Sequence, residues 1–266
     1  SGVITNTSGT VALTKAGTGT ITLSGNNGYA GLTAIGAGAG ALNIRHANAL
    51  GTTAAGTTVA AGGALEIQGD IIVGAEAITS LAGDGVANGG ALRNVSGTNA
   101  YGGAITLIAG GARINSDSGM LALGGNIGGN TFPIRFGGSG DVVVNGIIGT
   151  TSGTLTKDGP GVLTLAGTNT FTGATLVSAG TLRYGVNDAL ASGPVAVSGG
   201  TLDLAAFSDT VGAVSLTNGA ITGTSGVLTG TSYAVENGAI SAILGGAVAL
   251  TKHTAGTVTL SGATAY

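Results

Sequence analysis

One stretch that recurs along the chain constrains its fold more than any other feature. Residues 155–173 read LTKDGPGVLTLAGTNTFTG, and residues 13–31 repeat most of it as LTKAGTGTITLSGNNGYAG. A third copy, LTKHTAGTVTLSGATAY, occupies residues 250–266, and residues 96–103 (SGTNAYGG) keep only its second half. The aromatic residues of the copies are 72, 70 and 95 residues apart, close to three, three and four units of about 24 residues. A period of this length indicates stacked structural repeats. These aromatic residues are Tyr29, Tyr101, Phe171 and Tyr266.

A second motif supports the same period. One or two glycines, then Ala or Thr and an aliphatic residue, recur through the chain, and most successive aliphatic residues are 19 to 27 positions apart. This motif also follows three of the repeated aromatic residues by 11 to 13 positions. Two motifs that keep phase over the whole chain favour a true repeat over chance similarity. The aliphatic residues are Leu42, Leu65, Leu92, Ile114, Leu182, Leu202, Ile221 and Ile240.

Between its glycines the chain alternates small apolar residues with Thr or Ser, as in TGTITL (18–23) and GVLTL (161–165). An alternation of period two is typical of strands, and Asn–Gly pairs supply turns between them. We therefore predict an all-β fold, a right-handed parallel β-helix (β-solenoid) of roughly 11 coils of about 24 residues each. Like residues of successive repeats should then stack. We expect residues 1–266 to form one continuous domain that is part of a longer chain.

Three segments depart from the pattern. Residues 45–50 (RHANAL) and 186–191 (VNDALA) each predict one helical turn or a loop at a corner of the coil. Residues 124–144 depart most, and we expect an irregular coil or a lateral loop there.

Composition excludes several classes of protein. Charged residues make up 7% of the chain, against about 25% in ordinary globular domains, and the net charge is −3. The eight Lys and Arg residues are scattered singly, so no basic stripe is present for nucleic acid or for an anionic membrane. No apolar run approaches the roughly 18 residues of a membrane span, so we expect no direct membrane insertion of this segment. The chain has no cysteine, which excludes a disulfide framework and fits a cytosolic chain and an exported one equally.

The repeat as a whole, L-T-K-x-G-x-G-x-L-T-L-x-G-x-N-x-[YF]-x-G followed by A-G-T-L, resembles the autotransporter-associated β-strand repeat, or passenger-associated transport repeat. Residues 155–182 match nearly throughout, and residues 13–42 match with a two-residue insertion. The copy at residues 250–266 departs from this pattern at Thr254 and Ala255. It also has Thr264 at the position that Asn169 occupies in the copy at residues 155–173. The resemblance implies a β-helical passenger of a type V autotransporter or a similar large surface protein, exported across the outer membrane. It implies no catalytic residue.

Acidic residues are the first candidates for chemistry, because many parallel β-helices bind or cleave polysaccharides with acidic clusters. Glu66 and Asp203 occupy equivalent places in the repeat, several coils apart, so they should not form a pair. Asp70, Glu76 and Asp84 are close in sequence and could converge. A solvated surface is the simpler interpretation of all five.

Two glycine-rich segments, 83–85 (GDG) and 137–141 (GGSGD), are similar to the calcium-binding nonapeptide G-G-x-G-x-D. Asp141 comes one position early, and neither segment occurs in tandem, as the six or more oxygen ligands of calcium would require. His46 and His253 have no His or carboxylate neighbour at ligand spacing, so we expect both in exposed turns or strands.

The lysines of the repeat, Lys15, Lys157 and Lys252, are followed by Ala, Asp and His, which excludes a phosphate-binding loop. We therefore predict no catalytic, cofactor-binding or metal-binding residue, and no cofactor.

The repeated aromatic residues allow two interpretations. They form either an exposed stripe on which sugars stack or plugs that fill a corner of the coil beneath a glycine turn. Tyr and Phe interchange among the copies, and the flanking glycines leave room for a ring, so we favour the plug.

These observations predict a non-catalytic stalk, surface-displayed or secreted, that acts in adhesion, self-association or an extracellular filament. Its partners would be copies of itself, including filament-like stacking, or a host, cell-surface or glycan receptor. The alternative is a polysaccharide-binding or polysaccharide-cleaving β-helix protein. An ice-binding solenoid ranks last, because its Thr-x-Thr ladders should be regular and here they are not. The expected location is the bacterial cell surface or the extracellular medium.

Overall fold

The computed structural model describes residues 2–262 and 264–265, which form short strands and one turn of 3₁₀-helix at Val86–Asn88. None of these residues form a helix long and apolar enough to cross a membrane. The first sixteen strands are β1 (Leu13–Lys15), β2 (Thr20–Leu23), β3 (Thr33–Ile35), β4 (Gly40–Ile44), β5 (Thr57–Val59), β6 (Gly63–Gln68), β7 (Ile72–Val73), β8 (Ile78–Gly83), β9 (Leu92–Ser96), β10 (Thr98–Tyr101), β11 (Ile105–Ser116), β12 (Met120–Leu123), β13 (Ile127–Gly128), β14 (Ile134–Gly137), β15 (Asp141–Val144) and β16 (Ile148–Gly149). The others are β17 (Leu155–Lys157), β18 (Val162–Leu165), β19 (Thr175–Val177), β20 (Thr181–Tyr184), β21 (Val195–Val197), β22 (Thr201–Asp203), β23 (Asp209–Thr210), β24 (Ala213–Leu216), β25 (Ala220–Thr222), β26 (Val227–Thr229), β27 (Ser232–Val235), β28 (Gly238–Ile240), β29 (Ile243–Gly245), β30 (Leu250–Lys252), β31 (Val258–Leu260) and β32 (Thr264–Ala265).

The strands pair in parallel and form three faces of a solenoid. Face A consists of β2, β4, β6, β9, the second half of β11, β14, β17, β19, β21, β24, β27 and β30. Face B consists of β7, β10, β12, β15, β18, β20, β22, β25, β28 and β31. Face C begins with β1, β3, β5, β8, the first half of β11, β13 and β16, and it ends with β23, β26, β29 and β32.

The predicted fold class is confirmed: the protein is an all-β parallel solenoid of about 12 turns, about 21 residues apart. The coil is thus shorter than the repeat unit of about 24 residues. Its length also varies, since Leu65 pairs with Leu92, 27 positions on, whereas Val235 pairs with Lys252, only 17 positions on. At roughly 4.8 Å per coil the rod is roughly 55 Å long. Its right-handedness stays a prediction, as does the single continuous domain.

The core is a set of columns of inward-pointing side chains. On face A, Leu42, Leu65, Leu92, Ile114 and Phe136 pair one above the next, and each is fully buried. Alternate residues of a strand point to opposite sides, so one aliphatic residue at every second position fills the interior while Thr, Ser or Ala points outward. Stacking buries apolar area in proportion to the number of coils, and this burial is the main source of stability.

Glycine is required where the corners of successive coils touch. A Cβ atom on Gly173 would overlap the carbonyl oxygen of Gly153, and one on Gly193 would overlap the carbonyl oxygen of Gly173. This column of backbone contacts leaves no room for a side chain, which accounts for part of the high glycine content.

The repeat motif does not stay on one face. On face C, pairing runs from β1 through β3, β5, β8, β11 and β13 to β16, and β17 is the next strand of the chain, on face A. The LTK strand β1 therefore lies on a different face from the LTK strands β17 and β30. Similarly, Leu42 is on face A but its sequence equivalent Leu182 is on face B. The expectation that like residues stack throughout is wrong, because the coil and the repeat unit differ in length.

The irregular part of the solenoid lies earlier in the chain than the sequence predicted. Residues 124–144 contain β13, β14 and β15 in regular ladders, with Ile134, Phe136, Val142 and Val144 pointing inward, so the predicted lateral loop is wrong. The irregularities lie earlier: the register shifts between β5 and β8, β6 and β9, and β8 and β11. β11 runs for 12 residues from face C to face A. Residues 45–50 and 186–191 are corner loops and turns without a helix.

A core truncation tests the stacked interior. Leu163→Ala removes a fully buried side chain from β18 and should lower the free energy of unfolding by about 2–5 kcal/mol, because the cavity cannot close between fixed coils. Urea unfolding followed by circular dichroism measures the change. Thr164→Ala, the outward neighbour on the same strand, is the matched control and should change stability by less than about 0.5 kcal/mol. Equal losses in the two variants would contradict the assigned inward and outward positions.

Candidate functional site

The lysine of the repeat is a buried structural residue. Lys157, the last residue of β17, is 2% exposed, and its Nζ donates to the carbonyl oxygens of Asp158 (2.8 Å), Gly159 (2.8 Å) and Ala179 (3.3 Å). Lys15 Nζ donates in the same way to the carbonyl oxygens of Ala16, Gly17 and Ala39. In each case the third carbonyl belongs to the next coil, so the ammonium group ties a turn to the coil above it. Sequence reasoning tested these lysines only against phosphate loops and missed this role.

The third lysine of the repeat lacks this environment. Lys252 is exposed, and among the described residues its Nζ donates to the carbonyl oxygen of Thr254. Burial lowers the pKa of Lys157 to about 8, an effect that the neighbouring Asp158 partly offsets. Lys15 and Lys157 therefore each link one coil to the next.

The asparagine two positions before three of the repeated aromatic residues replaces a peptide group in the ladder. Asn169 Oδ1 accepts the N–H of Ile148 in the coil below (2.7 Å), and its Nδ2 donates to the carbonyl of Ala189 in the coil above (2.6 Å). Asn27 bridges Ile4 and Ala49 in the same way. Face C has no strand between β16 and β23, so at Asn169 a side-chain amide continues the hydrogen-bond ladder through a corner. Asn99 accepts the N–H of Ile71 at 2.7 Å from a corresponding position.

The aromatic residues fill the corners of the coil, as predicted. Tyr29, Tyr101 and Phe171 are at most 1% exposed and form no surface stripe. Tyr266, the fourth, lies outside the described residues. Tyr184 and Tyr233 are buried in the same interior although they belong to no LTK repeat, so the sequence motif found only some of the plugs.

Two carboxyl groups lie inside the solenoid. Glu76 is 4% exposed and accepts a hydrogen bond from Thr57 Oγ1 (3.1 Å), while burial raises its pKa. Asp209 is 2% exposed and its Oδ2 accepts the N–H of Leu190 (2.9 Å). Burial raises the pKa of Asp209 to about 6. Each carboxyl group also raises the pKa of a buried tyrosine, Tyr101 for Glu76 and Tyr184 for Asp209, although burial is the larger cause.

The three acidic residues that are close in sequence do not converge, and the expectation that they are solvated is wrong for the buried Glu76. Asp84 pairs with Arg135 (3.0 Å), Asp70 Oδ1 accepts the N–H of Thr98 (2.6 Å), and Glu76 is inside the coil. Glu66 and Asp203 were expected at equivalent places, but they lie on face A and face B respectively. The two are far apart, as expected, and each pairs with an arginine, Arg93 for Glu66 and Arg183 for Asp203.

A ladder of charged and amide side chains instead crosses several coils on the outer side of face A. Asn43 Nδ2 donates to Glu66 (3.2 Å), Glu66 pairs with Arg93 (3.0 Å), and Arg93 pairs with Asp117 (2.5 Å). Farther along, Arg113 pairs with Asp158 through two hydrogen bonds. The pairs are partly exposed, so each contributes little to stability on its own. They nevertheless fix charges of both signs along one side of the rod.

The remaining candidates are turn and surface residues. His46 Nδ1 accepts the N–H of Asn48 (3.1 Å) within a corner, and His253 is exposed. Asp141 Oδ1 accepts the N–H of Val162 in the next coil (2.9 Å). Over residues 2–262 and 264–265, no group of three or more His, Cys, Asp or Glu residues is placed to hold a metal ion, and no pocket is formed. The lysine and asparagine residues of the repeat form hydrogen bonds to the main chain of neighbouring coils.

The fold and these contacts define a class of protein, the parallel β-solenoid whose repeated polar residues link one coil to the next. Comparison with known proteins identifies the kind of repeat. The Passenger-associated-transport-repeat model matches residues 13–67 and 155–183. These two segments are thus passenger-associated transport repeats, which confirms the resemblance seen in the sequence. The third copy at residues 250–266 lies outside the matched ranges.

The chain is also similar to the Adhesin BmaC autotransporter of Brucella suis biovar 1 (strain 1330), with 38% identity over 103 residues. This alignment covers 38% of the present chain and 3% of the relative, so the chain corresponds to a small part of that protein. No solved structure matches the chain.

The buried lysine can be tested against the exposed one. Lys157→Met keeps the apolar stem and removes the three hydrogen bonds to carbonyl oxygens, so the free energy of unfolding should fall by about 1–3 kcal/mol. Lys252→Met is the control, because its lysine is exposed, and should change stability by less than about 0.5 kcal/mol. Chemical unfolding of both variants near neutral pH gives the comparison. A Lys157→Met variant as stable as the parent would show that the ammonium group does not link the coils.

The interior carboxyl group of Asp209 predicts a pH dependence. Its pKa in the folded protein is about 6, above the ordinary 3.8, so between these values the folded state binds more protons than the unfolded state. The free energy of unfolding should therefore fall as pH rises through this window, and the deficit should persist at higher pH. Asp209→Asn removes this charge and should stabilise the protein by about 2 kcal/mol near pH 8 but by little near pH 4.

Chemical unfolding of the Asp209→Asn variant and the parent at several pH values measures this difference. Asp188→Asn is the control, because Asp188 is an exposed carboxylate that also raises the pKa of Asp209, and its removal should have a much smaller effect. A stability difference between Asp209→Asn and the parent that does not change with pH would contradict the raised pKa.

Proposed function

We propose that the chain is a non-catalytic, adhesin-like segment of a passenger displayed at the bacterial surface or released from it. The observation that carries this proposal is the use of the repeat residues. Lys15, Lys157, Asn27 and Asn169 are buried and bonded between coils, so the repeat maintains a rod. A long rod with parallel ladders is suited to holding a contact surface away from a cell.

The outer surface is suited to contact. Outward positions of the strands carry mainly Thr, Ser, Ala and Asn, with few net charges, and face A adds the fixed charge ladder of Glu66, Arg93 and Asp117. A rigid surface of this kind loses little side-chain entropy on binding, so many weak contacts along the rod can add up. The relative's printed name, an adhesin autotransporter, supports the same role, and the passenger-associated transport repeats of the present chain support export to the cell surface.

The partners we propose are surfaces of other cells, host or glycan receptors, or further copies of the chain. We also propose that the 266 residues act as one continuous solenoid segment within a longer passenger. A polysaccharide-cleaving activity is the weaker alternative. Glycoside cleavage needs two carboxyl groups facing one sugar bond, whereas Glu66, Asp84, Asp158 and Asp203 are each paired with an arginine.

An adhesion assay with the purified chain tests the proposal. Fluorescent beads coated with the folded chain should bind a panel of host cells, glycans or abiotic surfaces better than beads coated with the same chain after unfolding. Static light scattering on the free chain reports self-association in the same buffer. Beads that bind no member of the panel, together with a strict monomer at high concentration, would overturn the adhesive role. Release of reducing sugar from a polysaccharide panel would instead favour the enzyme.

A further inference from the structure

The chain contains five Asn–Gly dipeptides, and in the structure they are not chemically equivalent. In an Asn–Gly dipeptide the backbone nitrogen of the glycine can approach the side-chain carbonyl carbon of the asparagine. The approach is easier than in other Asn–X dipeptides, because glycine has no side chain to hinder it. The asparagines are Asn27, Asn88, Asn145, Asn218 and Asn237.

The five sites differ in whether the N–H group of the glycine donates a hydrogen bond. The N–H groups of Gly28, Gly89 and Gly238 donate to the carbonyls of Ile4 (2.8 Å), Val86 (2.9 Å) and Thr257 (3.0 Å). Within the part of the chain that the structure describes, the N–H groups of Gly146 and Gly219 have no acceptor. Gly146 is buried, which keeps water from its nitrogen, whereas Gly219 is half-buried. Asn218 is therefore the asparagine whose neighbouring nitrogen is both unbonded and near solvent.

Asn218 also has a matched counterpart in the next coil. Residues 218–221 and 237–240 both read Asn-Gly-Ala-Ile, and β25 and β28 pair in register through their Ala and Ile residues. Both asparagines are exposed at the same corner, and Asn237 Nδ2 donates to Asn218 Oδ1 at 3.3 Å. The two sites differ in two respects. Gly219 lacks the hydrogen bond that Gly238 has, and the amide carbonyl of Asn218 is polarised by a donor.

We propose that Asn218 is a site of spontaneous covalent modification, at which the chain converts its own side-chain amide into aspartate and isoaspartate. The nitrogen of Gly219 attacks Cγ of Asn218 and forms a new C–N bond, while the bond from Cγ to Nδ2 breaks. Nδ2 leaves as ammonia and carries away the proton of the attacking N–H. Water then opens the cyclic imide at either carbonyl, which gives aspartate or isoaspartate without any oxidant, reductant or cofactor.

The modification would alter both the charge and the register of this corner. Each conversion places a new carboxylate next to Asn237 on a surface that has few charges. Isoaspartate also adds one atom to the main chain between β24 and β25, where the corner is closed by the N–H of Ala220 donating to Gly200 (3.0 Å). A rod exposed outside a cell would thus change slowly with age at one defined coil, without an enzyme.

Peptide mapping by mass spectrometry tests the proposal on the folded chain, aged in mildly alkaline buffer. Conversion at Asn218 should be roughly tenfold or more faster than at Asn237 and Asn88, because those sites must first break a hydrogen bond at the glycine nitrogen. Asn88 separates exposure from bonding, since it is exposed but its glycine N–H is bonded. Asn218→Gln, whose longer side chain forms the ring poorly, should lose conversion at residue 218 alone.

The contrary outcomes are equally specific. Similar rates at Asn218, Asn237 and Asn88 would overturn the proposal, as would an Asn218 that remains intact while an unstructured peptide with the same sequence converts completely. Unfolding the chain in urea should abolish the difference between the sites. A difference that persists in urea would show that the sequence, and not the structure, selects the site.

Discussion

The structure depends on the parallel hydrogen-bond ladder between successive coils. Parallel strands must lie about 4.8 Å apart and in register, so each coil has to close within a length that returns the chain to the strand below. Wherever the main chain turns a corner, its peptide groups point away from this ladder and need other partners. The buried residues of the repeat meet that need. Asn169 takes the place of a peptide group between Ile148 and Ala189, and Lys157 donates to two carbonyl oxygens of the turn that follows β17 and to a third in the next coil.

This dependence explains why a chain with so few charged residues places some of them in its interior. A buried ammonium or carboxyl group is costly unless it is bonded, and a repeat offers the same backbone partners in every coil. Lys15 and Lys157 find nearly identical sets of carbonyl groups 142 residues apart. Asp209 takes a place like that of Asn169, but it accepts a hydrogen bond where an amide could also donate one, and burial raises its pKa. Asp209 is therefore a titratable group at a position where Asn169 is insensitive to pH.

The same constraint separates the inside of the rod from its surface. The inward columns and the corners are determined by packing, so their residues repeat. The outward positions are free to vary, and there the chain has neutral polar residues together with the ladder from Asn43 to Asp117. Any specific recognition by this segment would have to come from outward positions, because the repeat residues are occupied inside. A motif search finds the repeat residues first, which is why the motif identifies the scaffold and gives no receptor.

The sequence by itself determined the fold class, the approximate coil length, the buried aromatic plugs and the passenger repeat, because all of these follow from local periodicity. It did not determine which repeats lie above one another. A coil of about 21 residues and a repeat of about 24 drift out of phase, so the LTK strand lies on face C at β1 and on face A at β17. Only the tertiary structure therefore decided that Glu66 and Asp203 lie on different faces, that residues 124–144 are regular, and that Lys15 and Lys157 are buried. The physical reason is that hydrogen bonds between coils are made by residues some twenty positions apart, and that pairing depends on the accumulated length of every corner between them.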